Sequence, residues 1–225
     1  MKIILERWKH FLNENEEEGE SFSFRVFCDM DGVLVDLPGG LLQRINISNA
    51  SPEFKKTTMR FISMAEKKGT PWQNYEESDE YGKSVRFIYD SLTNNRDFWA
   101  TLPPTEDAQV LWSGLQKYNL YVLSAPWEVY AQDGSKVVDE ACKAGKRDWI
   151  ANFDSQFPQS KIILRSDKYS EALQEDGTPN ILIDDMEKYR KPFSKAGGEV
   201  IEHREGQATE TLNKLDKIIN KSTEK

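Results

Sequence analysis

Apolar residues follow two rhythms along this chain. Ile3, Ile4, Trp8, Phe11 and Leu12 recur at helical spacing and predict a short amphipathic helix over residues 2–13. The acidic run Glu14 to Glu20, with Gly19 inside it, then reads as a solvated linker. From Ser21 the pattern becomes strand-like: Phe22, Phe24, Val26 and Phe27 lead into Cys28-Asp29-Met30-Asp31-Gly32-Val33-Leu34-Val35-Asp36, an apolar strand that ends in carboxylates and a glycine. Residues 38–104 hold helix-like stretches rich in Trp, Tyr and Phe, broken at Gly69-Thr70-Pro71 and closed by Pro103-Pro104, and predict a helical insertion. A βα alternation follows. It comprises a helix over 105–118, strand Leu120 to Leu123, a helix over 143–154, strand Ile162 to Leu164, strand Ile181 to Ile183 running into Asp184-Asp185, strand Val200-Ile201 and a helix over 208–220. Such alternation predicts an α/β fold, a doubly wound parallel sheet with helices on both faces. The expected organisation is an N-terminal helix and linker at 1–20, a core formed by 21–37 and 105–225, and the helical insertion at 38–104.

Composition narrows the function. At 225 residues the chain is long enough for one α/β domain with an insertion, and 38% hydrophobic residues supply a sizeable core. Thirty Lys+Arg against 38 Asp+Glu give a net charge of −8. That balance argues against extended nucleic acid or an anionic membrane as partner, because both need a basic surface. A small anionic ligand held by a few local cations remains compatible. No stretch approaches the roughly 18 apolar residues of a membrane helix, and the N-terminus lacks a signal-peptide apolar region. Cys28 and Cys142 read as two reduced thiols, consistent with a cytoplasmic protein. Residues 1–20 are read either as an accessory helix or as a detachable leader, and a homodimer is left open.

In a doubly wound sheet, ligands lie beyond the carboxyl ends of the strands. Three strand exits carry polar residues: Asp29 and Asp31 at the first, Ser124 at the second, Asp184 and Asp185 at a later one. Carboxylates converging on one point repel one another unless a cation sits between them, and hard oxygen donors favour Mg²⁺. The expected metal site comprises Asp29, Asp31, Asp184 and Asp185.

Asp29-Met30-Asp31-Gly32-Val33-Leu34 resembles the first motif of the haloacid dehalogenase superfamily in its phosphatase form. Ser124 after Leu120-Tyr121-Val122-Leu123 resembles the second motif, and Ile181-Leu182-Ile183-Asp184-Asp185 the fourth. The resemblance covers about residues 21–205 and implies a Rossmann-like core, Mg²⁺ held also by the Met30 carbonyl, and chemistry through an aspartyl-phosphate. Asp29 would be the nucleophile, and Asp31 the acid and base that serves the leaving oxygen and then water. Ser124 and the backbone N–H groups of Gly32 and Ala125 would bind phosphate. The third-motif lysine is expected at Lys168, in Arg165-Ser166-Asp167-Lys168, with Lys146 as the alternative and as a further phosphate contact. Within the superfamily the chain is most similar to the 5′(3′)-deoxyribonucleotidases. The likeness lies in DMDGVLVD at 29–36, Ser124-Ala125-Pro126, Lys146 to Trp149, Ser166-Asp167-Lys168 and Leu182 to Asp185. Two departures fall at nucleotide-contacting positions: Leu37 replaces an aromatic residue and Met186 replaces an arginine.

Other residues weigh less. Asp36 reads as a helix cap, and His10 and His203 as surface histidines. Among Trp72, Tyr75, Tyr81, Phe98 and Trp99, one or two could stack on a base, and Trp127 could line the pocket. The expected function is Mg²⁺-dependent hydrolysis of a small phosphomonoester, a nucleoside monophosphate in particular. The alternatives are a phosphatase acting on polynucleotides or other small phosphomonoesters, and a non-catalytic binding protein on the same fold.

Overall fold

The computed structural model describes residues 24–45, 51–68, 86–131 apart from 89, and 133–223. The expected helix over 2–13, its acidic linker and His10 lie outside the described residues, as do Trp72, Tyr75 and Tyr81.

Five parallel strands form the central sheet: β1 (Val26–Cys28), β2 (Leu120–Ser124), β5 (Ile162–Leu164), β6 (Ile181–Asp184) and β7 (Glu199–Glu202), in the order β5-β2-β1-β6-β7. The chain builds outward from β1 through β2 to β5, then returns to lay β6 on the other side of β1. The strand direction of travel therefore reverses at β1, the place where such sheets open a crevice. In register, Cys28 faces Val122 on one neighbour and Ile183 on the other, so Asp29, Ser124 and Asp184 emerge at the same edge.

The strands read as continuous apolar runs because both faces are covered. Val26, Cys28, Val122 and Ile183 point into the larger core, while Phe27, Leu123 and Leu182 meet Phe193 and Ala172 on the opposite face. Burying an aliphatic side chain of this kind contributes about 1.5–3 kcal/mol. Cys28 and Cys142 are both free and buried, and burial raises both thiol pKa values, that of Cys142 to about 12.

Between β1 and β2 the described residues form helices: α1 (Leu37–Ile45), α2 (Pro52–Lys68), α3 (Arg96–Ala100) and α4 (Ala108–Leu115). Asp36 does cap, its Oδ1 accepting the Gly39 N–H at 2.9 Å, and Ser51 does the same for Phe54 at 3.1 Å. Then come α5 (Glu140–Phe153), α6 (Glu187–Lys195) and α7 (Ala208–Thr223). The helix expected over 105–118 is shorter because Thr105 is tied to the Val33 carbonyl at 2.9 Å. One element was unanticipated: a hairpin of β3 (Glu128–Tyr130) and β4 (Lys136–Val138). Its signal was present as Asp133-Gly134 between β-branched residues, and Gly134 takes a positive φ of 80° there.

His203 corrects another expectation. It is fully buried, with Nδ1 2.9 Å from the Thr211 hydroxyl and Nε2 3.9 Å from Asp107. Burial lowers its pKa despite the Asp107 charge. No helix among the described residues is long and apolar enough to cross a membrane.

Candidate active site

The loop after β1 is built around one carbonyl. Met30 O accepts N–H groups from Val33 (3.1 Å), Leu34 (2.8 Å) and Val35 (2.9 Å), and the Met30 side chain is buried in the core. The expected use of this carbonyl as a metal ligand is therefore not supported: its lone pairs are engaged within the turn. Gly32, at φ 76°, closes the loop against Asp185, and a Cβ there would stand 2.5 Å from the Asp185 carboxylate. Only glycine satisfies both demands.

Asp29, Asp184 and Asp185 converge, each offering an oxygen within 4.8 Å of the others, and all three are buried. Asp29 Oδ1 accepts the Met30 N–H at 2.7 Å, and Asp184 Oδ1 accepts the Met186 N–H at 2.8 Å. Burial, reinforced by the Asp29 charge, outweighs Lys168 and raises the Asp184 pKa to about 6. Burial and the Asp184 and Asp29 charges push Asp185 well above the carboxylate range. Three buried carboxylates so close together form a hard oxygen donor set with too much negative charge for its surroundings, which suits a divalent cation.

Asp31 stands apart from this trio. Its Oδ2 takes the Lys146 ammonium at 2.5 Å, and its Oδ1 is buried with no hydrogen-bond partner among the described residues. Lys146 reaches it from α5, donating also to Ser124 Oγ at 2.9 Å and to the Ala125 carbonyl at 3.1 Å. The Ala125 carbonyl thus helps to anchor Lys146, apart from the N–H expected to bind phosphate. Lys168, on the 3₁₀ turn Lys168–Glu171, lies between Asp29 (2.9 Å) and Asp184 (2.7 Å). Burial opposes charge on both amines. The facing carboxylates, Asp31 foremost for Lys146 and Asp184 then Asp29 for Lys168, nevertheless hold both pKa values above that of an ordinary lysine. The two lysines that competed for one role in the sequence thus occupy two different places in one site.

Trp127 is half-buried at the base of the hairpin, with the Arg86 guanidinium 4.9 Å over its ring. Phe98 and Trp99 are buried in an edge-to-face pair, with the Lys146 amine 5.9 Å from the centre of the Trp99 ring. One residue with no expected role lies beside the site: Tyr189, in the first turn of α6. The Lys168 amine is 4.4 Å from the Tyr189 ring. Its sequence signal was only its spacing, four residues after Asp185.

No family model and no curated protein matches this chain. Solved structures do. A haloacid dehalogenase-like hydrolase from Burkholderia xenovorans is 14% identical, with 82% of this chain and 84% of that one covered and a TM-score of 0.40. The HAD-hydrolase YfnB from Bacillus subtilis, solved bound to magnesium, is 15% identical over 79% of this chain and 85% of its own, at 0.46. A HAD family enzyme from Bacteroides thetaiotaomicron, in complex with magnesium and inorganic phosphate, is 15% identical over 81% and 95%, at 0.37. Overlaps this loose leave the chemistry to be argued from the site itself.

Proposed function

We propose that this chain is a Mg²⁺-dependent phosphomonoester hydrolase of the haloacid dehalogenase type, acting on nucleoside monophosphates in the manner of the 5′(3′)-deoxyribonucleotidases. One observation carries the reading: two exits of a parallel sheet bring three carboxylates together beside a fourth, Asp31, with two buried lysines and Ser124 between them.

Asp29, Asp184 and Asp185 would hold the Mg²⁺. The ion supplies positive charge against the phosphoryl oxygens when bound. Asp29 Oδ1 is engaged by the Met30 N–H and Lys168, which leaves Oδ2 to attack phosphorus. As that P–O bond forms, the bond to the leaving oxygen breaks, and Asp31 donates its proton to that oxygen. Lys146 fixes Asp31 through Oδ2, so Oδ1 is the atom that carries the proton. Asp31 then accepts a proton from water as it attacks the aspartyl-phosphate, releasing phosphate and restoring Asp29. Ser124, oriented by Lys146, and the Ala125 N–H bind the phosphoryl oxygens, whereas the Gly32 N–H, an expected donor, is taken by the Val35 carbonyl at 2.9 Å. The segment 38–104, whose described parts include α2 and α3, serves as a cap that excludes bulk water.

The test is phosphate release from ribo- and deoxyribonucleoside monophosphates, sugar phosphates and an aryl phosphate, with Mg²⁺ and with Asp29→Asn as the blank. Deoxynucleotide turnover that vanishes in the variant supports the reading. Turnover of the aryl phosphate alone removes the nucleotide assignment, and no turnover of any ester overturns the hydrolase.

A further inference from the structure

We propose that Arg165 is a positioning residue of this site, clamping the 3₁₀ turn that carries Lys168 so that the lysine amine stays between Asp29 and Asp184. The inference rests on the phosphomonoesterase reading and deepens it by one residue, which acts through Lys168.

The task of Lys168 makes its placement matter. Its amine is fully buried, 2.9 Å from Asp29 and 2.7 Å from Asp184. Its hold on Asp29 Oδ1 is part of what leaves Oδ2 free to attack. Yet the turn that delivers it, Lys168–Glu171, is only four residues long, and 3₁₀ turns have poor hydrogen-bond geometry of their own. Within it, Ser170 donates its N–H and its hydroxyl to the Asp167 carbonyl at 3.1 and 2.8 Å, and the Ala172 N–H reaches the Tyr169 carbonyl at 3.1 Å. Accurate placement therefore calls for a brace from outside the turn.

Arg165 supplies one from a fixed base. It follows β5 directly, and its N–H donates to the Ser124 carbonyl at 3.0 Å, which ties its backbone to the second strand exit. Its guanidinium grips Asp167 with two parallel bonds, Nε to Oδ1 at 2.8 Å and Nη2 to Oδ2 at 2.7 Å. Nη1 reaches Glu171 Oε1 at 2.8 Å. One side chain thus holds the residue before the turn and the last residue within it. Other groups hold one end each: Ser166 donates to Glu128 at 2.7 Å ahead of the turn, and the Asn180 amide donates to the Glu171 carbonyl at 2.8 Å behind it. Only Arg165 spans the two ends among the described residues. Exposed ion pairs contribute little to stability, whereas a two-pronged guanidinium–carboxylate pair fixes geometry. The consequence of this clamp is therefore placement of Lys168.

Two variants and a control test this. Arg165→Met removes the fork, and Arg165→Lys keeps the charge but cannot grip two carboxylates in the same way. Arg204→Met removes an exposed guanidinium that pairs with Glu202 at 3.0 Å elsewhere on the surface. Two quantities are read for each: kcat and KM with Mg²⁺ for the fastest phosphomonoester of the panel above, and the nitrogen NMR resonance of the Lys168 amine, assigned by its absence from Lys168→Met. Misplacement of one charged group predicts that Arg165→Met lowers kcat by about 10–100-fold, with KM changed far less. The amine resonance should shift or broaden in the same variant. Arg165→Lys should fall between Arg165→Met and the parent protein, and Arg204→Met should match the parent in both readouts. An unchanged amine resonance in Arg165→Met would overturn the assignment whatever kcat does, and an unchanged kcat would overturn it as well. If Arg165→Met does not fold, Arg165→Lys carries the same comparison. If the parent protein hydrolyses no ester, the hydrolase reading fails, and the amine resonance still decides whether Arg165 holds Lys168 in place.

Discussion

Single residues divide the labour of this site by what holds them. Asp29 and Asp31 are two residues apart, yet Asp29 meets Lys168 and the Met30 N–H, whereas Asp31 meets Lys146. Replacing Asp31 by Asn keeps the shape and removes the proton carrier, so turnover should fall by about 10²–10⁴-fold with substrate affinity nearly unchanged. Steady-state kinetics will show it, and a matching loss of phosphate binding would instead make Asp31 a binding group. Gly32→Ala tests the loop. A left-handed backbone costs a non-glycine residue about 1–2 kcal/mol, and the new Cβ would press on Asp185. Denaturant unfolding should register that loss, and Mg²⁺ affinity should fall with it. The residue types were legible in the sequence; their partners were not. His203 shows why: nothing in its neighbours along the chain announces that Thr211 and Asp107 enclose it.

At the scale of elements, close packing sets where α5 delivers Lys146. Gly145 lets α5 approach α3, because a Cβ there would stand 2.5 Å from the Arg96 carbonyl and from Trp99 Cβ. Gly145→Val should therefore cost about 1–3 kcal/mol in thermal or denaturant melts, and it should lower activity by moving the adjacent lysine. Trp149, one turn on, donates to the Leu102 carbonyl at 2.7 Å. Asp107 begins α4, but its Oδ2 accepts the Ala208 N–H at 2.7 Å, so it caps α7 across the fold. The parallel strands were legible because each is an apolar run between helical stretches. The hairpin Glu128–Val138 was missed because its strands are three residues each, too short for alternation to show.

The whole molecule shows an excess of buried negative charge that ties metal binding to stability. Asp184 moves from 3.8 to about 6 on folding, and Asp185 moves the same way. Between those values the native state binds more protons than the unfolded chain, so in the absence of metal these groups cost stability as pH rises through that window. Mg²⁺ binds the deprotonated carboxylates, so its stabilising effect should grow over the same range. At a concentration about 100-fold above its Kd the ion should add about 2.7 kcal/mol, roughly 5–10 °C in Tm. Calorimetric scans should find this gain near pH 7.5 and a much smaller one near pH 5; equal gains at both would argue against metal binding by these carboxylates. The sequence alone determined the parallel α/β architecture and the strand exits that carry Asp29, Ser124 and Asp184, because periodicity and strand ends are local properties. Only the tertiary structure decided that Lys146 meets Asp31 across 115 positions while Lys168 meets Asp29 and Asp184. It also decided that the Met30 carbonyl is engaged in its turn. Those pairings follow from strand order and helix packing, which bring distant residues within a few ångströms, and no local pattern encodes them.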